Sequence, residues 1–257
     1  MLSNPMSHLY DRIGHGYSAQ RRPDPRIASQ IVRALGDAQR IVNIGAGSGS
    51  YEPTDRQVVA VEPSMTMIRQ RPVGRRLAVQ AAAEQLPFRD ASFDAALAIL
   101  TIHHWHDQRR GLEEVGRVTR GPIVIVTWDP DAWRFWLTDD YFPELVDWDR
   151  RICPSLESLR LALGELSVET VPVPADCMDG FLGAYWQRPE AYLDPTVRSA
   201  ISTFSKLADV EQGIARLRED LQSGAWRRKH GHLLRCSSLD LGYRLVKVGP
   251  RSSRAFA

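Results

Sequence analysis

The chain has 257 residues, of which 43% are hydrophobic and 25% charged, and it carries a net charge of +2. That is enough chain for one sizeable core and a small second lobe, and the near-neutral balance supplies no bulk attraction to nucleic acid or to an anionic membrane. Three widely separated cysteines, a first segment without an apolar signal stretch, and no apolar run near the roughly 18 residues that span a bilayer lead us to expect a cytoplasmic protein without disulfides.

In chain order, residues 1–22 form an arm bearing Tyr10, Tyr17, Arg21 and Arg22. A helix is expected to start at Pro25, to carry Ile27, Ile31, Val32 and Leu35 on one face, and to close at Gly36. The apolar run Ile41-Val-Asn-Ile44 then enters Gly45-Ala-Gly47-Ser-Gly49. Glycines there permit positive φ and leave no Cβ between loop and ligand. A second apolar run, Val58-Val-Ala-Val61, ends in Glu62. A carboxylate at the end of that strand accepts both hydroxyls of a ribose. The pair of features predicts a nucleoside-containing cofactor.

Only residues 46–56 separate the two strands, which leaves no room for a proper helix. Ser50 stands where a dinucleotide loop needs Gly or Ala. A pyrophosphate would find little helix dipole, and Glu52 would add negative charge beside it. S-adenosylmethionine has no phosphate and needs only the glycines and the ribose carboxylate.

Farther along, Ser64 is placed to cap a short helix that runs to Arg71 and stops at Pro72. Leu77–Gln80 reads as a third strand and Phe93–Leu100, nearly all apolar, as a fourth buried on both faces. His103, His104 and His106 follow it directly, then a helix over 108–119 and a fifth strand over 121–127. Strands alternating with helices imply a parallel α/β sheet.

Four segments in order carry a resemblance to the class I S-adenosylmethionine-dependent methyltransferases, in particular the small-molecule methyltransferase-domain group. They are Asn43–Gly49, Val61-Glu-Pro-Ser-x-x-Met67, Ala83-Glu-Gln-Leu-Pro-Phe88 with Ser92-Phe-Asp94, and Leu100-Thr-Ile-His-His-Trp105-x-Asp107 with Glu114-x-x-Arg117-Val118. The match covers roughly residues 40–128. It implies a Rossmann-like seven-stranded sheet, mostly parallel with the last strand antiparallel. It implies that Gly45, Ala46 and Gly47 face the methionine part of the cofactor and that Glu62 holds the ribose. Pro63 and Met67 would flank the adenine, Ala83 and Glu84 would meet its edge, and Leu100 and Thr101 would lie near the sulfonium. In the resembled group an N-terminal segment covers the cofactor, which nominates Tyr17 and Arg22. Two departures stand out: the helix after the glycine loop is nearly absent, and Ala82 replaces a common acidic residue.

Methyl transfer to a hydroxyl or ammonium needs a group to take the proton. His103 and His104 are the candidates, because histidine titrates near neutral pH, although His-His is common here in the resembled group whatever the substrate. No metal is expected. Beyond the fifth strand, residues 128–148 are rich in aromatics, which can wall an apolar pocket or simply pack the core. A helix at 154–163, a sixth strand at 167–173, a largely helical stretch over 178–226 broken at Pro189 and Pro195, and a last strand within 240–248 are expected. The resulting division is 1–36 arm and helix, 37–128 cofactor core, 129–240 the remaining sheet with a helical substrate lid inserted at about 176–238, and 241–257 last strand and tail. Trp128, Phe181, Tyr185 and Trp186 are the expected acceptor contacts. The basic run Trp226–His232 is a solvated face or a nucleic-acid contact. The reading is a methyltransferase of O or N atoms on a small organic molecule, monomeric or homodimeric. An RNA methyltransferase, a non-catalytic cofactor-binding protein on the same scaffold, and a nicotinamide oxidoreductase stay open as alternatives.

Overall fold

The computed structural model describes residues 21–75, 77–129, 131–132 and 134–249. Tyr17, Trp133 and the 251–257 tail therefore lie outside the described residues.

Helix α1, Pro25–Leu35, begins where Asp24 accepts from the backbone N–H of Arg26 and ends where Gly36 turns to φ 59°. Its buried residues Ile27, Ile31, Ala34 and Leu35 recur at helical spacing on one face. Strands β1 (Arg40–Ile44), β2 (Gln57–Val61), β3 (Ala78–Val79), β4 (Ala95–Ile99) and β5 (Ile123–Trp128) pair in parallel. Between them lie α2 (Met65–Arg69), with Ser64 as its N-cap, and α3 (Gln108–Val118), capped by Asp107. After β5 come α4 (Trp136–Tyr141), α5 (Glu144–Ile152), α6 (Leu156–Leu163), the strand β6 (Leu166–Thr170) and the two-residue β7 (Val173–Pro174). The chain finishes with α7 (Pro195–Ser199), α8 (Val210–Gln222), α9 (Ala225–His230), β8 (Ser238–Leu239) and β9 (Tyr243–Val248).

The main sheet has seven strands in the order β3-β2-β1-β4-β5-β9-β6, and β9 runs antiparallel to both β5 and β6. This is the Rossmann-like sheet expected from the sequence. Alternate side chains of the central strands feed two cores. Ile41, Leu97, Val124 and Val126 face α1 and the aromatic residues of the later segment. Val42, Val61, Ala96, Ile123 and Ile125 face α3 and α6.

Two details differ from expectation. Residues 178–226 are interrupted at more places than the expected breaks at Pro189 and Pro195, with short 3-10 turns at Leu182–Tyr185, Pro189–Leu193 and Ser202–Lys206 between the helices. Prolines at 189 and 195 start elements here, because their fixed φ suits a first helical position. Strands β7 and β8 also pair, Val173 with Leu239, and tie the two ends of this insertion together. Among the described residues no helix is long and apolar enough to cross a membrane.

Candidate active site

The glycine loop takes the conformations its residues were read for: Gly45 has φ 64° and Gly47 has φ 52°. A Cβ on Gly45 would sit 1.8 Å from the Thr101 hydroxyl, so no side chain fits between loop and strand end. The Glu62 carboxylate accepts from the Gly47 N–H at 2.8 Å and from the Ser64 N–H at 2.9 Å. Two backbone N–H groups thus hold the carboxylate in place at the edge of the pocket.

No helix follows the glycines, as the short connection predicted. Other contacts hold this segment. Arg71 donates to both oxygens of Glu52, at 2.9 and 2.7 Å, and Asn43 Nδ2 donates to Glu52 at 2.9 Å. Arg71 and Glu52 are both buried. The expectation that Glu52 puts free negative charge beside the loop is thereby corrected: a guanidinium neutralises it. Tyr51, at φ 62°, donates its hydroxyl to Asp179 at 2.8 Å, and Asp179 also accepts from Arg21 Nε at 2.7 Å. The loop, the arm and the insertion thus meet at one carboxylate.

A single pocket is lined by Gly45, Ala46, Gly47, Glu62, Pro63, Met67, Ala83, Glu84, Leu100 and Thr101, all ten of the core residues nominated for the cofactor. Leu100 is held at φ 51°, a conformation non-glycine residues rarely take and one that recurs at functional sites. One oxygen of Glu84 accepts from the N–H groups of His106 and Asp107. Arg22 is exposed and does not line the pocket; Arg21, one residue earlier, does.

His103 and His104 line the same pocket, with ring centroids 3.9 Å apart. Burial, reinforced by the nearby charges of Lys206 and Arg21, pulls His103 down to about 3. Burial and then His103, Lys206 and Arg21 hold His104 well below its ordinary value. The expectation that these imidazoles titrate near neutral pH is overturned. Both stay neutral, because a cation there would lose its hydration and face other cations. His106 is exposed. Among the described residues no group of three or more metal-ligating side chains occurs.

Away from the glycines the pocket is walled by Trp128, Phe181 and Tyr243, with Asp149, Cys153, Ile201, Ser202, Thr203 and Lys206. Two nominated acceptor contacts are instead core residues. Trp186 is fully buried and donates its indole N–H to Val173 O at 3.0 Å, and Tyr185 packs edge-on against Tyr192. Most of the aromatic stretch after β5 is core as well: Phe135, Trp136, Tyr141 and Phe142 are buried. Asp149, which burial pushes up to about 6 against the opposing effect of Lys206, was not anticipated from the sequence. Its signal was nevertheless present. On α5 it sits four residues after buried Leu145, an acid in an apolar stripe. In the basic run, Trp226 is buried, and Lys229 and His230 both pair with Asp140, at 2.6 and 2.7 Å.

A family model described as "Methyltransferase domain" matches residues 42–122. A solved structure from Anabaena variabilis, described as "Putative methyltransferase from antibiotic biosynthesis pathway", is 35% identical with a TM-score of 0.82, and the match covers 89% of this chain and 98% of that one. The chain belongs to the class I S-adenosylmethionine-dependent methyltransferases. Curated relatives match this methyltransferase over shorter stretches. An "Uncharacterized methyltransferase YcgJ" of Bacillus subtilis is 30% identical over 116 residues, 41% of this chain and 42% of that protein. A human "Probable tRNA methyltransferase 9B" is 29% identical over 152 residues, 54% of this chain and 32% of that protein. The chain thus spans less than half the length of these two relatives.

Proposed function

We propose that this methyltransferase binds S-adenosylmethionine along the glycine loop and transfers its methyl group to an O or N atom of a small organic molecule. Two features of the pocket support cofactor binding. Gly45 leaves the space that a Cβ would fill, and the Glu62 carboxylate, held by two backbone N–H groups just past the end of β2, lines the pocket where a ribose would lie. Gly45, Ala46 and Gly47 would hold the methionine part, Pro63, Met67 and Ala83 the adenine, and Leu100 with Thr101 the region of the sulfonium. When bound, the cofactor supplies a methyl group on an already activated sulfonium.

The protein's own task is then to position the acceptor and keep water out. His103 and His104, being neutral, offer lone pairs that can orient an O–H or N–H nucleophile. The observation that carries the small-acceptor reading is the wall opposite the glycines. Phe181, Leu182, Ile201, Ser202, Thr203 and Lys206 of the insertion close over the pocket with mostly uncharged side chains. A nucleic-acid substrate would favour a cationic rim; here Arg21 is paired with Asp179 and Lys206 lies partly buried. Similarity to tRNA methyltransferases is the one finding that favours RNA as acceptor.

The test is calorimetry with S-adenosylhomocysteine and NAD, then transfer of labelled methyl to small amines and phenols or to bulk tRNA. Micromolar binding of the homocysteine compound alone, lost in Glu62→Ala, with label in small molecules, is the expected result. Label only in tRNA would replace the reading with the RNA one. Binding without transfer to anything would favour a non-catalytic role.

A further inference from the structure

Six carboxylates are buried among the described residues: Asp24, Glu52, Glu62, Glu114, Asp149 and Asp179. Five of them accept from arginine or from backbone N–H groups. Asp149 is the exception, 8% exposed, with no hydrogen bond or ion pair to its side chain among the described residues. Two arginines follow it directly and neither turns to it. Arg150 approaches Asp147 at 3.8 Å, and Arg151 lies over the Trp148 ring at 5.5 Å. The Asp149 side chain instead lines the pocket.

Lys206 lines the same pocket from the insertion. It lies 5.7 Å from the Trp148 ring centroid, is partly buried, and makes no ion pair within 4.0 Å among the described residues. The pocket therefore holds a carboxylate and an ammonium, neither of them in a salt bridge among the described residues, the ammonium lying over the Trp148 ring. Burying a charge without a partner is costly, so such a pair persists where a ligand completes it. The walls of the same pocket include the aromatic rings of Trp128, Phe181 and Tyr243.

We infer that the acceptor is an amphoteric aromatic molecule, of the amino-acid type, whose ammonium group is taken by Asp149 and whose carboxylate is taken by Lys206. The inference rests on the small-acceptor reading above and supplies its substrate class. Asp149 and Lys206 are then specificity-determining groups: both charges of the ligand are satisfied inside the pocket, while a molecule lacking either one leaves a buried protein charge uncompensated.

The experiment titrates four probes into protein saturated with S-adenosylhomocysteine: tyrosine, tyramine, 3-(4-hydroxyphenyl)propionate and 4-ethylphenol. They share one phenol ring and differ in which charges they carry. Tyrosine is expected to bind about ten-fold or more tightly than each of the others. Asp149→Asn is expected to bring tyrosine down to the affinity of the propionate, and Lys206→Met to that of tyramine. Unchanged S-adenosylhomocysteine affinity in both variants shows that they fold. Equal binding of the four probes, no binding of any, or a preference that survives both substitutions would overturn the inference. Each of those results leaves the cofactor reading standing, whereas failure of wild-type protein to bind S-adenosylhomocysteine would strike the proposed function itself.

Discussion

At the scale of single residues, the two histidines after β4 show how far enclosure can move a side chain from its ordinary chemistry. In the sequence, His103 and His104 are groups that would gain or lose a proton near neutral pH. In the pocket the charged form is penalised, and His103 falls to about 3. Neither imidazole changes charge across the physiological range, so neither should appear as a titration in the activity profile. If they orient the nucleophile, His103→Gln or His104→Gln should lower turnover by up to about 100-fold and leave S-adenosylhomocysteine affinity within about two-fold. Steady-state rates beside calorimetric affinities check this, and unchanged turnover in both variants removes the role. Asp149 moves in the opposite sense for the same reason, its ordinary value of 3.8 rising to about 6. Burial disfavours whichever form is charged.

At the scale of elements, the segment after β1 replaces a helix with an ion pair. A helix there would satisfy its own backbone and present its N-terminus to the loop. The short connection of residues 45–56 depends on Arg71, which grips Glu52 from the far side of α2 and also donates to Gly47 O at 3.4 Å. Removing one member of a buried pair leaves the other charge stranded, at a cost of roughly 3–5 kcal/mol. Arg71→Met should therefore lose stability by about that amount in urea unfolding and should weaken S-adenosylhomocysteine binding, because the glycine loop loses its support. The double variant Arg71→Met with Glu52→Gln should recover much of the stability. If the single variant unfolds like the wild type, the segment is held by something other than this pair.

At the scale of the whole molecule, folding stability should carry the signature of the unpartnered carboxylate. Asp149 binds its proton more tightly folded than unfolded, so its contribution to stability is lost as pH rises from about 4 to about 6 and stays lost above. Lys206, Cys153 and Tyr243 are the other titratable groups around it, and Lys206 partly offsets the loss. A ten-fold change in proton affinity is worth roughly 1.4 kcal/mol. Asp149→Asn should then be more stable than the wild type at pH 7 by roughly 3 kcal/mol, with little difference at pH 4. Melting temperatures of the two proteins across that range test it, and parallel curves would show that the carboxylate is satisfied after all. The central strands, the antiparallel last strand and the glycine loop that lines one side of the pocket were legible from the sequence. Apolar strands, a Gly-x-Gly turn and a carboxylate at a strand end are short-range patterns, and their spacing leaves few alternatives. The opposite side of the pocket was not. Tyr185 and Trp186 resemble pocket residues until the fold buries them. Asp149, Cys153, Ser202 and Lys206 come from two distant segments whose meeting depends on how α5 and the insertion pack over the sheet. Local sequence determines what a strand and its turn must be. Which side chains an insertion leaves facing a cavity is decided only when all the elements compete for the same core.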